Sequence, residues 1–419
     1  MRVHHQEHAL SESELRVVEF RGRSLPAGLA QEWSALHEAS GAAVFLSPEW
    51  LIPWMRHIAP GVEPRLLCVR DRDGRLVGIL PLGFEQTRAF GRRIRRLFVL
   101  GERHVGSDYL DVVAGLAHRR VVTLALGRHL RDVQAGWDVL DLCDLDSASP
   151  TPGWLQEVLD GGDWGWRSTP RFTCPVERLD PGGDFDAFLK RTGRRDNFLR
   201  RLRWFERQKG FRIQVTRRPE ELAPAAEAFF RLHRLRWAAE GGSQGIRGTG
   251  VEAFHRDAMA GLAAAGKLRL TTLWVGEQPV ASVYGIVQGR DFLYYQSGYD
   301  PAWRAKSPGL VLVGLSFRDA MAEGLERYDF LRGTEAYKSE WARRQRTTCS
   351  WRCTFRHGPG AWLTRFEETS LAVRGRVRSL LPQPVVQAVQ RYRRRASAIV
   401  ARAPAPGVPV QAAVEQPRR

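Results

Sequence analysis

The chain has 419 residues, enough for a large core and for more than one domain. Its composition, 43% hydrophobic and 26% charged, is that of a globular protein. No apolar run nears the eighteen or so residues that a membrane-spanning helix needs, and residues 1–14 lack the apolar stretch of a secretory signal, so the expected compartment is the cytoplasm. The formal charge of +18 raises nucleic acid as a partner, but only five of the 64 basic residues are lysine. With abundant Ala, Gly and Pro, that skew reads as genome composition, and nucleic acid is not expected as the main partner.

The elements follow in chain order. After a polar, flexible segment over residues 1–26, residues 27–39 read as a helix, and a second helix opens at Ser47-Pro48-Glu49, where Ser47 is placed to cap and Pro48 suits the first helical position. Residues 65–70 and 76–84 form a hairpin about Asp73-Gly74, 94–100 a third strand, 116–130 a helix and 137–142 a strand. A Pro/Gly/Ser-rich stretch, 147–153, loosens the chain, and Asp180-Pro181-Gly182-Gly183 breaks it again. Beyond it come a long Arg-dense helix (185–208), a short strand (211–216), a helix (220–240) and a Gly-rich loop (241–250). Strands at 268–275, 279–287 and 292–299 precede a helix at 307–323 and strands at 327–331 and 347–355; from 369 onward an Arg-, Pro- and Ala-rich tail follows. Five scattered cysteines argue against a disulfide framework. Cys349 and Cys353 share a strand face without an evident ligand set, so no metal is expected.

Two segments echo one another. Arg65-Leu66-Leu67-Cys68-Val69, a turn and Leu76-Val77-Gly78-Ile79-Leu80 match Lys267-Leu268-Arg269-Leu270, a turn and Pro279-Val280-Ala281-Ser282-Val283. Helices precede both hairpins, and a strand and a helix follow both, which points to an internal duplication. The second copy carries the chemistry. An aromatic strand, residues 292–299, leads through Arg304-Ala305-Lys306 to Ser307-Pro308-Gly309 and an apolar helix. A helix opening on Ser-Pro-Gly presents free backbone N–H groups and a positive dipole end; with Arg304 and Lys306 just before it, and room at Gly309, it suits a pyrophosphate. The same residues also fit an ordinary capped crossover helix. Neither a Walker loop nor a GxGxxG motif is present.

These pieces, together with Phe45-Leu46-Ser47-Pro48-Glu49-Trp50-Leu51, Ser107-Asp108-Tyr109-Leu110-Asp111, Leu232-His233-Arg234-Leu235-Arg236-Trp237, Gly298-Tyr299-Asp300-Pro301 and the run from Tyr328 to Lys338, resemble the GNAT acyltransferase superfamily. More narrowly, they look like the CelD-like (cellulose-biosynthesis-type) acetyltransferases with a BioF2-like domain. The resemblance spans residues 40–355. It implies an α/β (α+β) fold of two tandem GNAT-like halves, 27–178 and 179–368, each a mixed, mostly antiparallel sheet flanked by helices, with the basic tail after them.

The resemblance further implies an acyl-CoA co-substrate, acetyl-CoA or another, held at Arg304, Lys306, Ser307, Pro308 and Gly309. One departure is that Ser307 stands where the (Q/R)xxGxG/A phosphate loop has its middle glycine. Asp329 and Glu335 are candidate bases and Tyr337 a candidate acid, while Lys338 could hold a carboxylate or phosphate. His233, Arg236 and Asp108 are placed in an acceptor cleft between the halves. The implied activity is N-acyl transfer to an amine or amino-sugar acceptor, small molecule or glycan, in exopolysaccharide or cell-envelope synthesis. The alternatives are a Fem-type aminoacyl-tRNA-dependent transferase and a non-catalytic basic glycan or nucleic-acid binder. The Arg-rich tail suggests peripheral contact with an anionic membrane.

Overall fold

The computed structural model describes residues 11–89, 91–102, 105–239, 246, 249–366 and 369. Residues 1–364 form one compact unit and 365–419 another. The second unit, with the expected basic tail, lies almost wholly outside the described residues, as does most of the 241–250 loop.

The first half runs β1 (Arg16–Arg21), α1 (Leu29–Ser40), α2 (Pro48–His57), β2 (Glu63–Arg70), β3 (Leu76–Ala89), β4 (Arg92–Val99), β5 (Val113–Ala114), α3 (Arg119–Asp132), β6 (Val139–Asp146), α4 (Thr151–Val158) and β7 (Trp164–Arg178). Two helices, α5 (Phe185–Arg191) and α6 (Arg195–Glu206), then lead into the second. It runs β8 (Arg212–Thr216), α7 (Leu222–Ala239), α8 (Thr249–Ala264), β9 (Leu268–Val275), β10 (Gln278–Gln288), β11 (Asp291–Tyr299), α9 (Pro308–Ala322), β12 (Arg327–Asp329), α10 (Ala336–Ser339) and β13 (Arg344–Phe355).

Both halves therefore have the same order: a strand, two helices, a hairpin, a strand, a helix, a strand, a helix and a last strand. They join in one mixed α/β sheet ordered β1-β2-β3-β4-β6-β13-β7-β12-β11-β10-β9-β8, with β5 on β3. Its described neighbours are antiparallel except at two equivalent places. Arg96–Phe98 of β4 run parallel to Val139–Asp141 of β6, and Asp291–Leu293 of β11 run parallel to Arg327–Asp329 of β12. The halves exchange their final strands. β13 pairs with β6 of the first half, β7 pairs with β12 of the second, and β7 and β13 pair with each other along the seam. Alternation along the strands feeds two apolar clusters. One holds Trp33, Trp50, Trp54, Leu293 and Tyr295; the other is built around α9 with Phe292, Tyr294, Phe317, Tyr328 and Trp341.

Several local expectations change. Residues 16–21 are not a flexible leader but pair with Arg65–Arg70. The single helix over 185–208 is two, because Gly193 takes a left-handed φ of 69°. The Arg194 N–H then reaches the Leu189 carbonyl and the Gly193 N–H that of Lys190, the pattern that closes a helix C-terminus. Part of the 147–153 stretch opens α4. The middle of β7 is polar and exposed, so no alternation marks it as a strand.

Gly298 sets how close α7 lies to β11, since a Cβ there would come within 2.4 Å of the His233 backbone nitrogen. Backbone cannot give way as a side-chain tip can. Gly298→Ala should therefore destabilise the protein by about 1–3 kcal/mol, as overpacking does, read by chemical denaturation. An unchanged midpoint would mean that α7 is not held against β11.

Candidate active site

The site begins where a ladder stops. β11 and β12 pair for three residues each, and after Asp329 the chain leaves β11 to follow β7: the Phe330 N–H bonds the Pro175 carbonyl at 2.9 Å and the Gly333 N–H that of Thr173 at 3.1 Å. β11 instead stays with β10 as far as Tyr299. A bulge accompanies the split, with Gly285 opposite Tyr294 and Tyr284 opposite Gln296, so Tyr295 is the extra residue. The edge of β11 from Tyr294 onward thus faces a gap that α9 and α10 close on one side.

On that side lies a cavity of about 270 Å³, lined by Tyr294, Ser297, Arg304, Ser307, Gly309 and Tyr337 among others. Ser307 closes the turn before α9 in a left-handed conformation, φ 55° and ψ 54°, and its hydroxyl does not cap the helix. The backbone thus has the shape that a glycine adopts without strain, although the residue is serine. Pro308 has no N–H, which leaves those of Gly309 and Leu310 at the helix start without a side-chain cap. A Cβ on Gly309 would meet nothing within 4 Å, so the space over the first turn is open. The guanidinium of Arg304 is exposed and has no carboxylate partner among the described residues. Open space, free amides and an unpaired cation together suit a phosphate or pyrophosphate, with the cavity beyond for an extended arm.

Arg236 reaches this cavity from α7, donating to the Ser297 hydroxyl at 2.8 Å. The Tyr294 and Tyr337 rings pack edge to face with centroids 6.3 Å apart, and burial pushes the Tyr337 phenol well above its ordinary value, with Tyr294 and Glu335 adding to the shift. Tyr337 therefore stays protonated at any working pH.

On the other face lies Asp329, the last β12 residue of the parallel ladder, opposite Leu293. It is fully buried. The Tyr109 hydroxyl donates to its Oδ2 at 2.9 Å, the Leu331 N–H to its Oδ1 at 2.7 Å, and Arg346 Nη1 is 3.4 Å from Oδ2. Burial raises its pKa to about 6, opposed by the Arg346 guanidinium. Tyr109 and Arg346 line a second cavity, of about 290 Å³, on this face. Tyr109 and Leu331, two of the four left-handed non-glycine residues among those described, both bond Asp329. Such backbone strain concentrates at functional sites.

Other expected site residues fall elsewhere. Lys306 lies with its ammonium 4.5 Å from the Trp204 ring centroid and does not line the cavity at Tyr294. Glu335 is exposed, precedes α10, pairs with Lys338 at 3.1 Å and does not itself line the cavity. Lys338 is buried and donates to the Arg332 carbonyl at 2.7 Å, so its charge is spent inside the protein. Asp108, also buried, is held by Arg332 at 2.9 Å; the same guanidinium reaches Asp144 at 3.0 Å. This tie between the halves is structural. His233 is buried, and desolvation with Arg236 nearby lowers its pKa to about 4, so it is neutral. His233, Arg236 and Asp108 therefore do not converge on one cleft. Tyr294, Ser297 and Tyr109 are the residues that sequence reasoning missed. The aromatic doublet Tyr294-Tyr295 was the available signal, but only the bulge shows that Tyr294 lines the cavity while Tyr295 packs in the first apolar cluster.

Comparison with known proteins follows this geometry. Residues 192–339 match the family model described as an acetyltransferase (GNAT) domain. The fold is a GNAT-type acyltransferase fold. Among solved structures, FemX aligns over 83% of this chain and 99% of its own, with a TM-score of 0.54 and 11% identity. The C-terminal (DUF2156) domain of a putative lysylphosphatidylglycerol synthetase from Agrobacterium fabrum aligns over 82% of this chain and 96% of its own, with a TM-score of 0.50 and 10% identity. No curated protein sequence matches the chain significantly.

The left-handed turn gives a direct test. Ser307→Gly should leave stability unchanged or raise it by up to about 1 kcal/mol, whereas Ser307→Val should lower it by about 1–2 kcal/mol, measured by thermal denaturation. Equal stability of the two variants would mean that the turn is not left-handed.

Proposed function

We propose that the chain is an N-acyltransferase that takes its acyl group from acyl-CoA, acetyl-CoA or a longer homologue, and passes it to an amine or amino sugar. The observation that carries this reading is the cavity in the β11–β12 gap, with the free amides of α9 and Arg304 at its mouth. The first turn of α9 and Arg304 would hold the pyrophosphate, and the cavity along β11 would take the pantetheine arm. When bound, this co-substrate supplies the thioester carbonyl. Arg236 and Ser297 orient what lies along β11. Asp329, ionised above about pH 6, takes the proton from the acceptor ammonium on the opposite face, through the gap or by way of Tyr109. As the amine nitrogen bonds the acyl carbon and the carbon–sulfur bond breaks, Tyr337 gives its proton to the departing sulfur. An acceptor in exopolysaccharide or cell-envelope synthesis agrees with the CelD-like resemblance of the sequence.

A second reading, aminoacyl transfer from tRNA, has one feature in its favour: Arg201 of α6 donates to the Ala305 carbonyl at 2.7 Å, setting an Arg-rich helix beside the donor turn. The two readings separate by ligand. Acetyl-CoA or CoA should raise the melting temperature by several degrees, and Gly309→Val should abolish the shift without lowering the unliganded midpoint. If no CoA species shifts the wild-type protein while charged tRNA binds, the second reading replaces the first.

The pH dependence tests the base. A carboxyl raised to about 6 must lose its proton to act, so kcat/KM should rise through about pH 6 and level off above it. Its effect on stability has the opposite sign. The unfolded chain gives up this proton near pH 4 and the folded chain near 6, so this group's contribution falls as pH rises between them. Asp329→Asn should lower kcat by about 100-fold or more and remove the pH step near 6 while CoA still binds. A pH step that survives in Asp329→Asn would assign the base elsewhere.

A further inference from the structure

The face that carries Asp329 continues into a larger groove. The Tyr109 cavity shares Gly41, Ala42, Gln288, Asp291, Arg327 and Arg346 with a cleft of about 620 Å³ at the start of β11 and β12. Strand register puts its cations on one side of the sheet. Arg327 stands directly opposite Arg178 and, two residues on, Asp329 is on the same face. Arg344 and Arg346 alternate onto one face of β13 in the same way, opposite Val176 and Cys174.

Six cations line this cleft against three carboxylates. Four of the cations are neutralised locally: Lys267 pairs with Glu38, Arg290 with Glu326 at 2.5 Å, Arg327 with Asp291, and Arg346 with Asp146 and Asp329. Arg178 and Arg344 have no carboxylate partner among the described residues, and both are exposed to the cleft. Arg178 stands directly across from Arg327, whose charge Asp291 already neutralises, so its own charge adds to the excess of cations on this face. Two unpaired guanidinium forks on adjacent strands match the geometry of a phosphate or pyrophosphate. The cleft has the volume of a small-molecule site rather than that of an open polymer track.

We propose that this cleft binds the acceptor, and that the acceptor is a small amine carrying a phosphate or diphosphate group, held by Arg178 and Arg344 so that its amine reaches Tyr109 and Asp329. The inference rests on the acyltransferase reading for what happens to the amine, but the binding claim stands on the cleft alone. The charged end lies at the wide mouth, and the amine points inward along the face that ends at the β11–β12 gap. Donor and acceptor thus approach the gap from opposite faces of the sheet, each led by its own arginines: Arg304 on one side, Arg178 and Arg344 on the other.

Calorimetric titrations of glucosamine 1-phosphate and glucosamine, with and without saturating CoA, test this on the full chain. The phosphorylated sugar should bind at least about tenfold more tightly than glucosamine with CoA present, when the donor turn is occupied. Arg178→Ala/Arg344→Ala should erase that preference while leaving CoA affinity as it is and without lowering the melting temperature, since neither side chain has a carboxylate partner among the described residues. Arg304→Ala should do the reverse, weakening CoA and sparing the sugar phosphate. Equal binding of the two sugars, or a preference that survives the double variant, overturns the proposal even where CoA binds normally. Failure of CoA to bind, with the phosphate preference and its arginine dependence intact, would instead remove the donor reading and leave the cleft assignment standing.

Discussion

β12 pairs with β11 for three residues and then is taken over by β7, and everything at the site follows from that transfer. Backbone hydrogen bonds from Phe330 and Gly333 to Pro175 and Thr173 draw the chain away from β11, which remains on β10. A sheet interior cannot ordinarily leave strand edges unpaired, because buried amide groups lose water without gaining a partner. Here the unpaired edge of β11 faces a cavity instead. The exchange of β7 and β13 between the halves makes this affordable: the seam between those strands extends from Trp164 to Val176, so the sheet stays continuous although one ladder inside it is cut short.

The gap separates two chemical environments. On the α9 side, free helix amides and Arg304 favour an anion, beside a phenol that stays protonated. On the opposite side a buried carboxylate titrates near pH 6 among arginines and a tyrosine. Asp108 and Asp329 are both fully buried carboxylates, yet their partners differ. Arg332 grips Asp108 through its backbone N–H and its side chain, at 3.0 and 2.9 Å, leaving it no freedom to exchange a proton with a ligand. Asp329 has a more distant cation at 3.4 Å, and a hydroxyl that connects it to an open cavity. Burial alone therefore does not distinguish these two acids; their partners do.

Much of the fold was legible in the sequence. The paired hairpins, the aromatic strand before Ser307-Pro308-Gly309 and the apolar helix after it carry their own periodicity, and each sits within a few residues of its expected place. β7 was not legible, since its polar middle pairs on both edges through backbone rather than through an alternating apolar face. The break at Gly193 was missed because a single glycine inside a helical pattern does not by itself end a helix. At the site, Arg304 and Gly309 follow from local turn chemistry. Lys306, Glu335 and Lys338 look equally reactive in sequence, yet one stacks on Trp204 and the other two pair with each other.

By itself, the sequence determined the duplicated order of elements, the positive helix start in the second copy and the set of titratable residues near it, because turn residues, caps and hydrophobic periods act over a few positions. Only the tertiary structure decided which of those residues matter. Strand exchange between the halves set the point where β11 and β12 part, the bulge at Tyr295 set which ring faces which side, and long-range ion pairs such as Arg332 with Asp108 withdrew some charges while leaving Arg304, Arg178 and Arg344 without a carboxylate partner among the described residues. Those pairings link residues as far apart as Asp108 and Arg332, and no local pattern encodes a choice of partner at that distance.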